Sequence, residues 1–205
     1  MTLKRGCLLP ILFIKYLRCI KFEKGRPAVF LDRDGTINVD YGYVYQPEKL
    51  EFIPGSIEGM KLLQSQGFLL IIVTNQSGIA RGYFTEEQMN EFHKVMAEKL
   101  DSYGVKIDGI YFCPHLEGCN CRKPGVDLYY RAKRDFNIDF SRSYVIGDNV
   151  RDLSLCNIEP VEGYLLQPKG EKQYCIDEKW AEHVKVCDNL LQAAQDIVGS
   201  RKEEL

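Results

Sequence analysis

The sequence has no surplus of either charge: 27 Lys and Arg stand against 29 Asp and Glu over 205 residues, for a formal net charge of −2. Phosphate backbones are gripped by excess cations, so this balance argues against a general affinity for nucleic acid. Long hydrophobic runs are also missing. The longest apolar stretches fall short of the about 20 residues that span a bilayer, so no membrane role is expected. Internal repeats, low-complexity tracts and Pro/Gly/Ser linkers are absent too, which removes any reason to divide the chain into modules. Histidine is scarce, with three copies. What is present is apolar: 45% hydrophobic residues can fill the core of one ordinary domain and rule out disorder.

Cysteine runs the other way. There are eight, and Cys113, Cys119 and Cys121 fall within nine residues, with His115 between them. Three thiolates and an imidazole closed by one short loop suit a structural tetrahedral zinc site with no open position. A disulfide hairpin or a chance cluster is the alternative. Cys7, Cys19, Cys156, Cys175 and Cys187 are scattered, several in apolar segments where a reduced thiol is a small hydrophobe. Zinc held by free thiolates points to a reducing compartment, and hence to the cytoplasm. Residues 1–26 form an N-terminal extension of unknown role. Its apolar run Cys7–Ile14 resembles a signal peptide, but Lys15 and Arg18 interrupt it and no small-residue cleavage site follows.

From Pro27 onward, short continuous apolar runs alternate with helical patterns. Ala28–Leu31, Phe68–Val73, Gly109–Phe112, Tyr144–Ile146 and Tyr164–Leu166 read as buried strands. Ile57–Gln66, a helix opened by the capping box Thr85-Glu86-Glu87-Gln88, Val126–Phe136 and Leu190–Val198 read as helices. The alternation predicts an α/β fold, a three-layer sandwich around a mostly parallel, Rossmann-like sheet. The chain contains no long insertion that would make a separate cap domain.

In such sheets ligands bind beyond the carboxyl ends of the strands. The residues there are Asp32-Arg33-Asp34, Thr74-Asn75-Gln76-Ser77, the cysteine loop with Arg122-Lys123, and Gly147-Asp148. Two carboxylates flanking one residue can divide labour, one attacking as a nucleophile while the other moves protons. An EF-hand is excluded by spacing, because Ile37 and Tyr43 occupy its obligatory Gly and Glu positions. Asp32, Asp148 and a backbone carbonyl, completed by waters, suit octahedral magnesium. Thr74, Asn75 and Lys123 supply a hydroxyl, an amide and a compact cation for the oxygens of a phosphoryl group in transfer.

The order Asp-x-Asp-Gly-Thr, Thr-Asn, Lys, Gly-Asp resembles the haloacid dehalogenase-like phosphatase superfamily. Four longer segments, Leu31–Val44, Thr74–Gly82, Cys113–Pro124 and Val145–Asp148, are similar to its heptose-bisphosphate and histidinol-phosphate phosphatases. The likeness covers roughly Pro27 to Val198, so residues 27–200 are taken as one phosphatase domain. It implies a magnesium-dependent phosphomonoesterase acting on a small phosphorylated sugar in heptose supply for lipopolysaccharide; histidinol phosphate is the alternative substrate. With no cap insertion, a monomer is the default expectation. Asp32 is then the nucleophile and Asp34 the general acid and base. Asp32, the Asp34 carbonyl and Asp148 hold magnesium, and Thr74 and Lys123 hold the phosphoryl group. Asp40, Tyr41, Gly42, Tyr43, Asn75, Gln76, Ser77 and Arg122 contact substrate, while zinc on Cys113, His115, Cys119 and Cys121 shapes the loop carrying Arg122 and Lys123.

Two departures from the family pattern stand out. Asn149 replaces a frequent lysine, with Arg151 or Arg81 left to supply the missing cation, and only three residues separate His115 from Cys119. Asp152 is open between support for Asp148 and a helix-capping or surface role. A zinc-stabilised binding module without turnover is the rival from another class, although Asp32, Asp34, Thr74, Lys123 and Asp148 are all in place.

Overall fold

The structure, a computed structural model, describes residues 25–168 and 183–203. The N-terminal extension up to residue 24, Cys7, Cys19 and Cys175 lie outside the described residues. Six strands, β1 (Ala28–Leu31), β2 (Leu69–Asn75), β3 (Gly109–Cys113), β4 (Tyr144–Gly147), β5 (Glu162–Leu166) and β6 (Val184–Cys187), form one sheet in the order β3-β2-β1-β4-β5-β6. All five pairings are parallel. The helices are α1 (Ser56–Ser65), α2 (Glu86–Ser102), α3 (Asp127–Phe136) and α4 (Leu190–Glu203), with a 3-10 segment at Val150–Asn157.

A parallel sheet is covered on both sides, so its strands are apolar on both faces. On β1, Val29 and Leu31 pack with Met60 and Leu63 of α1, Phe92 and Met96 of α2, and Ala193 and Ile197 of α4. Ala28 and Phe30 face the other way, toward Leu128 and Tyr129 of α3 and Leu153 of the 3-10 segment. Two core layers therefore flank the sheet, and the expected three-layer α/β sandwich is what forms. Among the described residues no separate cap domain is seen.

Besides two short 3-10 turns at Pro47–Lys49 and Phe140–Arg142, two elements lack a clear signal in the sequence. β6 is an edge strand with the burial of Val184-Lys185-Val186-Cys187 alternating imperfectly, its two central residues exposed; four residues carry too little pattern to identify it. The 3-10 segment begins at a capping box in which Asn149 accepts from the Arg151 N–H and Asp152 accepts from the Asn149 N–H. The Thr85 capping box opens α2 as its residues require, with Thr85 and Gln88 bonding reciprocally.

Candidate active site

Because all six strands run in parallel, the residues following β1, β2, β3 and β4 converge at one edge of the sheet. Asp32 leaves β1 with its N–H bonded to the Ile146 carbonyl of β4 at 2.9 Å. Its Oδ1 accepts from Lys123 Nζ at 2.5 Å. The same ammonium meets Asp152 Oδ1 at 2.9 Å and donates to the Val73 carbonyl at 2.7 Å. Lys123 is almost fully buried, and its three N–H donors have three oxygen partners. Burial would discharge a lysine, yet Asp152 and Asp32 reverse that and hold it charged.

Asp148 completes an acidic cluster, since carboxylate oxygens of Asp32, Asp148 and Asp152 lie within 4.8 Å of one another. Burial raises Asp32 to about 7, with Lys123 opposing and Asp152 and Asp34 adding to the rise. Burial, then Asp32 and Asp152, raise Asp148 to about 8. One ammonium does not neutralise three crowded carboxylates, and a hard divalent cation with oxygen ligands would relieve the imbalance. The donor set thus fits magnesium. Glycine makes the crowding possible. A Cβ on Gly35, whose φ is +80°, would stand 2.3 Å from Asp148 Oδ2, and one on Gly147 would stand 2.5 Å from the Asp152 Cβ.

Asp34 is held differently. Its carboxylate receives Arg33 Nε at 3.1 Å and Arg33 Nη2 at 2.9 and 2.7 Å. Asn38 Nδ2 donates to Oδ1 at 3.0 Å, and Gln76 Nε2 donates to Oδ2 at 2.9 Å. Gln76 Nε2 also donates to Thr74 Oγ1 at 2.9 Å, linking the end of β2 to the end of β1. The Asn75 amide is committed within the protein as well, accepting from the Lys123 N–H at 2.9 Å and donating to the Lys123 carbonyl at 3.1 Å. That reciprocal pair fixes the main chain from which Lys123 reaches Asp32.

A cleft of about 330 Å³ opens over these groups. It is lined by Asp32, Asp34, Asp40, Gly42, Tyr43, Thr74, Asn75, Gln76, Ser77, Arg122, Lys123 and Asp148, so nearly every residue singled out from the sequence meets there. Arg81 and Arg151 line it too, so both of the cations expected to compensate for Asn149 reach the cleft. Tyr41 is the exception: it is 58% exposed, and its hydroxyl donates to Glu51 Oε2 at 2.5 Å rather than to the cleft. Asp152 is not a surface group. It is buried, caps the 3-10 segment and pairs with Lys123 at once. Arg33, Asn38 and His93, which bear on Asp34 directly or through one another, were not singled out, because nothing in their local sequence signals that they are buried.

The cysteine loop follows β3. The four donors lie close together: Cys113 Sγ is 3.2 Å from Cys121 Sγ and 3.6 Å from Cys119 Sγ, and His115 Nδ1 is 3.3 Å from Cys121 Sγ. Adjacent sulfurs in a tetrahedral zinc thiolate site stand somewhat under about 4 Å apart, given Zn–S bonds of about 2.3 Å. The thiols are free, at separations well beyond a sulfur–sulfur bond of about 2 Å. The disulfide alternative is thereby excluded, and the cluster could hold a metal ion. Burial raises the Cys113 thiol to about 12, a cost that metal coordination removes. Arg122 lies next to the loop, its Nη1 donating to the His115 carbonyl at 3.4 Å.

A parallel α/β sheet with an Asp-x-Asp-Gly-Thr turn after β1, a hydroxyl after β2, a buried lysine and a carboxylate after β4 defines a haloacid dehalogenase-like phosphomonoesterase. Known proteins agree. The polynucleotide kinase 3 phosphatase family model matches residues 31–188. The D-glycero-beta-D-manno-heptose-1,7-bisphosphate 7-phosphatase of Haemophilus ducreyi is 46% identical over 169 residues, covering 78% of this chain and 93% of that protein. The enzyme of the same name from Photorhabdus laumondii is 43% identical over 87% of this chain and 99% of its own. A crystal structure of D,D-heptose 1.7-bisphosphate phosphatase from B. bronchiseptica, complexed with magnesium and phosphate, superposes with a TM-score of 0.72 at 28% identity, covering 85% of this chain and 99% of that one. The chain belongs to this family of haloacid dehalogenase-like phosphatases, within its heptose-bisphosphate phosphatase branch.

Proposed function

We propose that the chain removes the 7-phosphate of D-glycero-D-manno-heptose 1,7-bisphosphate, acting on the beta anomer that its relatives' names specify. The observation that carries this reading is the single cleft that joins a nucleophile–acid pair to three guanidinium groups, Arg81, Arg122 and Arg151. One phosphate seated at Asp32 leaves a second, on a sugar of this size, within reach of cations at the mouth.

In the proposed reaction an Asp32 carboxylate oxygen attacks phosphorus in line. The P–O bond to the sugar breaks, its electron pair leaves with the sugar oxygen, and Asp34 supplies that oxygen with a proton. Asp34 then takes a proton from water, which attacks phosphorus. The P–O bond to Asp32 breaks, releasing phosphate and regenerating both carboxyl groups. Lys123 and Thr74 stabilise the phosphoryl oxygens through charge and hydrogen bonding. Asp32, Asp148 and the Asp34 carbonyl would hold magnesium, which supplies screening of the carboxylates against the incoming phosphate and polarises the phosphoryl group. Tyr43 borders the sugar together with Asp40 and Gly42, whereas Tyr41 acts from the rim at most. Zinc on Cys113, His115, Cys119 and Cys121 would be structural, and a site built on free thiolates suits a reducing compartment, the cytoplasm.

Steady-state kcat/KM for both anomers of the heptose bisphosphate, histidinol phosphate and fructose 1,6-bisphosphate tests the assignment. The beta heptose bisphosphate is expected to lead. Histidinol phosphate ahead by about an order of magnitude, a difference in transition-state binding of about 1.4 kcal/mol, would overturn it.

A further inference from the structure

Arg33 is fully buried, although it lies between two carboxylates at the floor of an open cleft. An arginine does not lose its proton, so each buried N–H needs an acceptor. Nε and Nη2 go to Asp34, and Nη2 also donates to the Val44 carbonyl at 2.8 Å. Nη1 points away from the cleft into α2, where it meets His93 Nε2 at 3.1 Å and Met89 Sδ at 3.0 Å. The guanidinium carbon stands 4.6 Å over the Phe92 ring. Met89, Phe92 and His93 are spaced i, i+3 and i+4, so one face of α2 receives Nη1 and the guanidinium plane.

His93 is the pivotal member of that face. It is 5% exposed, and Arg33 can only donate, so Nε2 must be the unprotonated ring nitrogen and the ring neutral. Burial, then the Arg33 charge, push its pKa down to about 3, in keeping with that tautomer. None of the reacting groups is touched by His93. Through Arg33, however, it sets where the fork that grips both Asp34 oxygens can lie.

We propose that His93, acting through the buried Arg33, is a positioning residue for Asp34, holding the carboxyl group in the orientation from which it protonates the leaving sugar oxygen. The inference rests on the assignment of Asp34 as general acid. It makes a demand that a merely structural histidine does not: the effect of losing His93 depends on the leaving group. A sugar alkoxide needs a proton as it departs, whereas p-nitrophenolate does not.

The test measures kcat/KM for the heptose bisphosphate and for p-nitrophenyl phosphate with wild type, His93→Leu and His93→Gln. Leucine removes the acceptor, while the glutamine carbonyl can restore it. His93→Leu is expected to lower kcat/KM for the sugar phosphate by about 10- to 100-fold, with p-nitrophenyl phosphate changed by less than about threefold. His93→Gln is expected to bring the ratio of the two values back to that of wild type. Equal losses on both substrates in His93→Leu, or no rescue of the ratio by glutamine, would overturn the proposal. If His93→Leu fails to fold, His93→Phe, which keeps a ring and removes the acceptor, should lower the ratio in the same sense; an unchanged ratio there also overturns it. A wild-type enzyme inactive on both substrates would instead bring down the phosphatase mechanism on which the inference stands.

Discussion

At the scale of single residues the site is a problem in charge. Asp32, Asp148 and Asp152 crowd one ammonium, and Lys123 pairs with two of them, Asp32 and Asp152. Replacing Asp32 with Asn removes the proposed nucleophile and one negative charge. Lys123 keeps Asp152 and the Val73 carbonyl as partners, so the fold should survive. Asp32→Asn is therefore expected to lose at least about 10³-fold in kcat. Its urea unfolding free energy is expected to stay within about 1 kcal/mol of wild type. A variant with near-normal turnover would refute attack by Asp32.

His93 makes a second residue-scale prediction, about stability rather than rate. Its folded pKa, about 3, lies below its ordinary value of 6.5. The unfolded chain therefore binds a proton that the folded one refuses. The stability this contributes is fully present above pH 6.5 and is lost as pH falls from there toward 3. Comparison with His93→Gln isolates it from other titrating groups. Between about pH 6 and pH 4 the stability difference between the two proteins should change by about 1.4 kcal/mol per pH unit, wild type losing more. Urea titrations at three pH values would measure it, and parallel curves would show that His93 is free to charge.

At the scale of elements, the loop between β3 and α3 does two jobs at once. It ties together Cys113, His115, Cys119 and Cys121, and it delivers Arg122 and Lys123 to the cleft. The Asn75 amide clamps the Lys123 main chain from β2, so the lysine is located by two elements. Cys121→Ser should lower bound zinc from about one per chain to well below it, since a hydroxyl is a poor zinc ligand. The sheet should persist in far-UV circular dichroism, because Cys121 lies beyond the strands. A fall in kcat/KM of at least about tenfold is expected, as about 1 Å of displacement at Lys123 is costly. Full activity in a zinc-free variant would mean that the loop holds its shape through packing alone.

The secondary elements were legible because their signals are local. Strands β1, β2 and β4 are buried on both faces and read as continuous apolar runs. Thr85 announces α2 by a capping box that operates within four residues. The strand ends were legible for the same reason, since polar residues directly after apolar runs must lie at the carboxyl edge. β6 and the 3-10 segment at Val150–Asn157 were not. One is four residues long with its middle exposed, and the other depends on Asn149 and Asp152 capping a turn whose helical pattern is weak.

At the scale of the whole molecule, the sheet keeps two apolar layers apart and leaves one polar edge open. The carboxylates on that edge are raised by burial and by one another. A divalent cation should therefore bind the folded state and stabilise it globally. At a magnesium concentration a hundredfold above its dissociation constant the gain is about 2.7 kcal/mol, which corresponds to roughly 5–10 °C in Tm for a domain of this size. Thermal scans with and without magnesium at fixed pH would show it, and the shift should shrink in Asp148→Asn. No described helix is long and apolar enough to cross a membrane.

The succession of strands and helices, the parallel sheet, the four-donor cysteine loop and the polar groups that close each central strand could all be read from the amino-acid order. These follow from periodicity, capping and spacing, which act over a few residues. Which of those polar groups face the cleft and which serve one another is settled by long-range packing. Tyr41 turns out toward Glu51, and the Asn75 amide is spent on the Lys123 backbone. Asp152 joins a cap to an ion pair, and Arg33 is buried against a helix about 60 positions away in the chain. Each outcome depends on burial and on partners brought by other elements. Desolvation makes those partners obligatory, and no local pattern specifies them.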